Sequence, residues 1–452
     1  MKKWTVFLLA SLPVMVVVGF AAMNPPSVQA VPSYARQTGL ACSGCHYTPP
    51  ELNPAGRRFK LLGYVDKQDK SIKAEAGKQH APLDILESLP LSVMFETSYT
   101  SLGSPVPGTQ NGNVEFPQDV SLYLSGAWTK DIGSFLQVTY DTQNDHFSID
   151  NTDIRYAKTK NLGGKEFNYG LDLNNNPSVE DLWNATPAWG FPWIQSDFAP
   201  LPTAEPILNG PLAQDVGGGG AYAMWDNHLY GAVLVYGSDH VGIPQPNPGT
   251  GFTYNIHGAA PYWRFAWQQG TPTTQFEIGT YGMHVESTPQ GVVGPEDEYT
   301  DWALDSQVDR TLFKRDVLSL RGTFIDQTSW LTGSVAAVPP AATAGSHHLY
   351  TATANVEYHF GNRISLTGAF FDTWGTADPL LYPQAPVTGS ANGNPGSTGY
   401  FANASFWPWQ NIQLAFQYSG YTRFNGGGTN YDAAGRDASG NNTTYLLIRF
   451  LF

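Results

Sequence analysis

The chain has 452 residues, of which 13% are aromatic and only 14% charged, and its formal net charge is −14. That acidic balance speaks against nucleic acid as a partner, and two cysteines are too few for a disulfide scaffold. Forty-seven glycines with abundant Tyr, Phe and Trp fit one large β structure better than the two or three globules that length alone suggests.

Lys2 and Lys3 precede an apolar run from Val6 to Met23, and Val28-Gln29-Ala30 follows as a small-residue cleavage site. This predicts a secretory signal peptide over residues 1–30. The run is also long enough for an uncleaved anchor. Removing Lys2 and Lys3 takes the net charge from −14 to −16. No later stretch is apolar for long enough to predict a transmembrane helix.

Residues 31–88 form the next unit. Cys42-Ser43-Gly44-Cys45-His46 contains both cysteines, and C-x-x-C-H is the attachment signature of c-type haem. The two thiols add across the haem vinyl groups and His46 ligates the iron. The spacing sets both sulfurs on one side of a helical turn. A redox-active disulfide is the competing reading, but it needs a βαβ context that this segment lacks. Pro49 and Pro50 end the turn. Asn53 then caps a second helix with Pro54 at its first position and Gly63 as its stop. Phe59 and Leu62 are expected to cover one haem face. Arg57, Arg58 and Lys60 would either neutralise haem propionates or form a solvated face. Residues 65–88 read as a polar linker.

Residues 89–452 alternate with period two. Sixteen strands are predicted: 91–100, 119–130, 133–142, 147–157, 165–173, 215–226, 228–238, 254–267, 273–285, 298–311, 315–327, 347–360, 363–373, 398–407, 411–423 and 442–452. Leu446, Ile448, Phe450 and Phe452 share one face of the last strand while Arg449 takes the other. Short connectors alternate with long ones, including 174–214, and the one exception is 143–146. Short periplasmic turns with longer outside loops are the rule for outer-membrane barrels, whose chains also commonly end on an aromatic residue, as this one does at Phe452. The expected fold is all-β, a transmembrane antiparallel β-barrel of sixteen strands. A small N-terminal α-helical haem segment sits inside it or across its periplasmic mouth, since a barrel of this size has room for a plug.

Pro32-Ser33-Tyr34-Ala35-Arg36-Gln37-Thr38-Gly39, the haem motif, Leu52-Asn53, Gly56-Arg57, Phe59-Lys60 and Gly63-Tyr64 form a longer string. It resembles the outer-membrane cytochrome–porin fusions of iron-oxidising bacteria, residue by residue in this segment and by architecture in the barrel. That resemblance implies one covalently attached haem c, electrons taken from extracellular Fe(II), and transfer to a periplasmic c-type cytochrome. The family string usually has methionine where this chain has Leu40, a change expected to alter packing beside the haem rather than its attachment.

His80, in the linker, and Met94, in the first strand, are the candidate sixth ligands. A histidine or methionine there favours electron transfer and an open position favours ligand binding. Met283-His284 and His347-His348 are candidate metal pairs, and Pro295-Glu296-Asp297-Glu298 is an acidic cluster suited to hard cations or simply to solvent. Gly217 to Gly220 lacks the Lys-Ser/Thr of a phosphate loop and is expected to relieve crowding at a strand. Arg155, Arg321 and Arg449 are expected to face the lumen. Three readings follow: a conduit carrying electrons inward from Fe(II), the reverse current to an outside acceptor, and a diffusion porin with a docked haem segment. All three place the barrel in outer-membrane lipid.

Overall fold

A computed structural model describes residues 32–65, 70–74, 85–143, 145–238, 255–289 and 294–452. The signal-peptide expectation and His80 fall outside the described residues. Two short helices open the chain, α1 (Pro32–Thr38) and α2 (Pro54–Leu61). In the stretch read as a linker, Ser71–Ile72 pairs with Ile85–Leu86 in a small antiparallel ladder.

The rest of the chain builds a closed antiparallel barrel. Its first half comprises β1 (Leu91–Leu102), β2 (Asp119–Leu124), β3 (Ile132–Asp141), β4 (His146–Leu162), β5 (Lys165–Asn174), β6 (Val216–Trp225), β7 (Leu229–Ser238) and β8 (Ala260–Gly270). The second half comprises β9 (Thr274–Ser287), β10 (Asp297–Leu312), β11 (Asp316–Trp330), β12 (Ser346–Phe360), β13 (Ile364–Gly375), β14 (Ser397–Trp409), β15 (Ile412–Arg423) and β16 (Thr443–Leu451). Each strand pairs with the next, and β16 closes on β1 with Thr443 opposite Leu102 and Phe450 opposite Phe95.

All sixteen predicted strands are present, with three differences, of which one is that the fourth runs to Leu162 rather than 157. The second stave is broken, with Asn113–Glu115 and Gly126–Ala127 flanking β2, because Pro117 removes a ladder donor and Gly126 bends the chain. The eighth begins at Ala260 rather than 254.

Alternation along the strands sorts side chains as a membrane wall requires. Leu171, Leu173, Val233, Phe265, Leu320 and Phe370 lie outward and 44–57% exposed, whereas inward-facing Arg155, Asp172, Arg264 and Glu357 are 0% exposed. An apolar outer band over a polar, filled interior is inside-out for a water-soluble protein and correct for a lipid-facing barrel. No described helix is long and apolar enough to cross a membrane.

The largest departure from expectation is the connector between β5 and β6. It was expected outside, as a long loop. Instead it folds into the lumen and bonds to the wall at many points. Trp183 Nε1 donates to Gln268 Oε1 at 3.2 Å, and the Leu208 amide to Asp301 at 2.9 Å. Gln417 donates to the Ile194 carbonyl at 3.2 Å, and Thr100 and Ser196 hydroxyls meet at 2.6 Å. The buried arginines explain the inward turn. Arg155 donates to the Glu180 carbonyl at 2.8 Å and Arg264 pairs with Asp181 at 2.8 Å, so wall cations hold the loop.

Candidate functional site

The C-x-x-C-H segment forms a 3₁₀ turn over Cys42–Gly44, closed by the His46 amide donating to the Cys42 carbonyl at 2.8 Å. His46 bridges to Leu52, so Tyr47 to Glu51 make a tight excursion that returns the chain for α2. Asn53 caps α2 as predicted, its side chain accepting from the Ala55 and Gly56 amides at 2.9 and 3.0 Å. Gly56 lies so close to the motif that a Cβ there would meet the Cys45 carbonyl oxygen at 2.2 Å. Only glycine lets the helix pack this closely on the Cys42–Cys45 turn.

Residues 32–65 bond to the barrel wall near its short-turn end. The Ser33 amide donates to Ser92 Oγ at 2.9 Å, Tyr34 Oη to the Ser134 carbonyl at 2.7 Å, and the Cys42 amide to Gln410 Oε1 at 3.1 Å. Tyr64 Oη donates to Asp153 at 2.6 Å. The wall is thinned for this contact at Gly133, where a Cβ would meet the Gly63 carbonyl at 2.3 Å. Arg57 pairs with buried Asp309, and Arg58 makes a forked pair with Glu166 at 2.6 and 3.0 Å. These two arginines are therefore tethers to the wall rather than propionate partners or a free solvated face.

Between segment, inner loop and wall lies a cavity of about 550 Å³, within the range of cofactor pockets. Cys42, Cys45 and His46 line it, with Phe59 and Lys60 from α2, Met94 and Glu96 from β1, and Trp183, Trp189 and Trp193 from the inner loop. Phe135, Trp407, Arg449 and Leu451 complete the wall side. Leu62 is not among its lining residues, so of the expected haem-facing pair only Phe59 reaches it.

The geometry fits a c-type haem. His46 Nδ1 donates to the Pro50 carbonyl at 3.1 Å, which fixes the tautomer and leaves the Nε2 lone pair for a metal. Burial lowers the imidazole pKa to about 4, against the opposing pull of that hydrogen bond, so the ring is neutral and competent to ligate. Burial also raises the Cys45 pKa. Met94 is buried and its sulfur accepts a hydrogen bond from Tyr123 Oη at 3.3 Å. Trp407 Nε1 is buried without a hydrogen-bond partner among the described residues, an orphan donor in the cavity wall. Arg449, paired with Glu96, is the cavity's guanidinium. Lys60 donates to the Val179 carbonyl at 2.7 Å, and burial next to Arg155 pulls its pKa down to about 8.

Other candidates separate. All three named arginines face inward, but Arg155 grips the inner loop and Arg321 pairs with Glu51 of the N-terminal segment. Met283 is buried while His284 lies on the opposite face with Thr300, so they form no joint site. His347 pairs with Asp378 at 3.0 Å and His348 stacks outside on Tyr350. In the acidic cluster Asp297 is buried against Ser334, and Glu296 pairs with His257 at 2.8 Å. Gly218 makes room for the Tyr236 ring, as expected of a crowding-relief glycine. The inner-loop tryptophans were missed by the sequence reading. Trp183, Trp189 and Trp193 within one charge-poor connector were the available signal.

No family model matches the chain, and no curated protein matches it. Among solved structures it is similar to outer-membrane expressed OmpT of Vibrio cholerae, at 7% identity over 85% of this chain and 100% of that one, with a TM-score of 0.44. It is also similar to an engineered Rhodopseudomonas blastica porin, at 9% identity over 80% of this chain and 100% of that one, with a TM-score of 0.39.

Proposed function

We propose that the protein is an outer-membrane electron conduit with one c-type haem, which takes electrons from an extracellular donor of the Fe(II) class and delivers them to a periplasmic carrier. The observation that carries this reading is the convergence of Cys42, Cys45, His46 and Met94 on one aromatic cavity inside a filled barrel. Haem iron, when bound, supplies the one-electron couple. Cys42 and Cys45 would tether it and His46 Nε2 would ligate it, with the Pro50 carbonyl holding the ring in place. Met94 is the sixth-ligand candidate among the described residues, since it lines the cavity. Trp407 Nε1 and Arg449 offer donors to the haem carboxylates, and the three inner-loop tryptophans keep water out.

Carboxylates support a cationic donor. Glu96, Asp119 and Asp150 line the cavity, and oxygens of Asp119, Asp141 and Asp197 lie within 4.8 Å of one another. The inner loop and haem segment occupy the lumen, which counts against a general diffusion porin. Anaerobic visible spectroscopy of the oxidised protein during Fe(II) addition tests the reading. Fast appearance of reduced c-haem bands is expected. A haem that stays oxidised with Fe(II) yet responds to dithionite would instead favour the outward current.

A further inference from the structure

We infer that Glu51, Glu357 and His359 hold a transition-metal dication that fastens the haem segment to the barrel wall. This site is separate from the haem cavity, and only the haem named in its test rests on the proposed function. Glu51 belongs to the excursion between His46 and α2, whereas Glu357 and His359 share the inward face of β12, two residues apart. All three are 0% exposed, and one ligating atom from each lies within 4.8 Å of the others.

The surrounding bonds leave the metal-facing atoms bare. Arg321 Nη2 takes Glu51 Oε1, and Arg321 Nη1 stands 3.6 Å from Glu357. Thr48 Oγ1 meets His359 Nδ1 at 2.9 Å. Glu51 Oε2, both Glu357 oxygens and His359 Nε2 remain without hydrogen bonds in a buried setting. His359 Nε2 is 3.2 Å from Glu51 Oε2. Two carboxylates against one guanidinium leave a unit of negative charge uncovered, which is costly in a dry interior. A cation at the focus of these atoms satisfies them together.

One imidazole nitrogen with two carboxylates suits Zn²⁺, Mn²⁺ or Fe²⁺. Thr48 would orient the imidazole and Arg321 the Glu51 carboxylate, the outer-shell roles such ligands require. The neighbouring charged and titratable groups are Tyr47, whose ring lies 5.7 Å from that of His359, and the Arg57–Asp309 pair.

The test is zinc loading of the haem-containing full-length protein in detergent, a chelator wash, and elemental analysis of zinc per chain. A single retained equivalent is expected for the wild type and for Glu296→Gln, which alters the exposed His257 cluster. Glu357→Gln and His359→Gln should each lose it while keeping the haem spectrum. Zinc-edge absorption of the wild type should show one imidazole among oxygen ligands, a readout that does not depend on any variant folding. No retained zinc in the wild type, retention in both β12 variants, or a shell without imidazole would each overturn the inference.

Discussion

At the scale of single residues, position in the wall decides what a side chain can do for the site. Met94 is buried on β1 with its sulfur held by Tyr123. If it completes the iron coordination, Met94→Ala should lower the reduction potential by on the order of a tenth of a volt and admit carbon monoxide to the reduced protein. Redox titration and CO difference spectra check this. Glu180 of the inner loop is raised from 4.5 to about 7 by burial, even with Arg264 pulling the other way. Its folded pKa exceeds its unfolded one, so its contribution is full below about 4.5 and is lost as pH rises through about 7. Such a shift corresponds to roughly 3 kcal/mol. Exchange protection of the inner-loop amides should therefore fall from pH 4.5 to 7.5, and Glu180→Gln should flatten that slope.

At the scale of elements, the inner loop and the N-terminal segment are two inserts gripping the same wall. The grips differ in worth. Arg57→Ala strands buried Asp309, a loss of about 3–5 kcal/mol. Arg58→Ala breaks an exposed pair worth up to about 1 kcal/mol. Limited proteolysis of the folded protein should release the N-terminal segment far sooner in the first variant. Replacing residues 181–195 with a glycine–serine linker should turn a nearly silent planar-bilayer trace into porin-sized currents. The strands were legible because period two is local: Leu446, Ile448 and Phe450 announce a face without reference to anything distant. The direction of the β5–β6 connector was not, because Arg264, Asp301 and Gln417 hold it from far along the chain. Likewise, nothing near Trp407 in sequence marks it as a cavity residue.

At the scale of the whole molecule, charge is divided end from end. The short-turn end exposes Lys130, Lys314, Arg315 and Arg363. The long-loop end exposes Asp145, Asp197, Glu205 and Glu298, while its arginines are engaged: Arg423 with Asp372, Arg436 with loop carbonyls. Such a field concentrates cations at one mouth. Stopped-flow reduction should be faster with a cationic donor than with an anionic one of equal driving force, and the gap should close as salt approaches 1 M. The seam of the barrel carries a further consequence. β1 and β16 supply Met94, Glu96, Arg449 and Leu451 to the cavity, so the two ends of the barrel are also two of its walls. On the proposed reading, a macrocycle held by Cys42 and Cys45 would lie against that seam, so joining the barrel's two ends would also finish the cofactor's pocket.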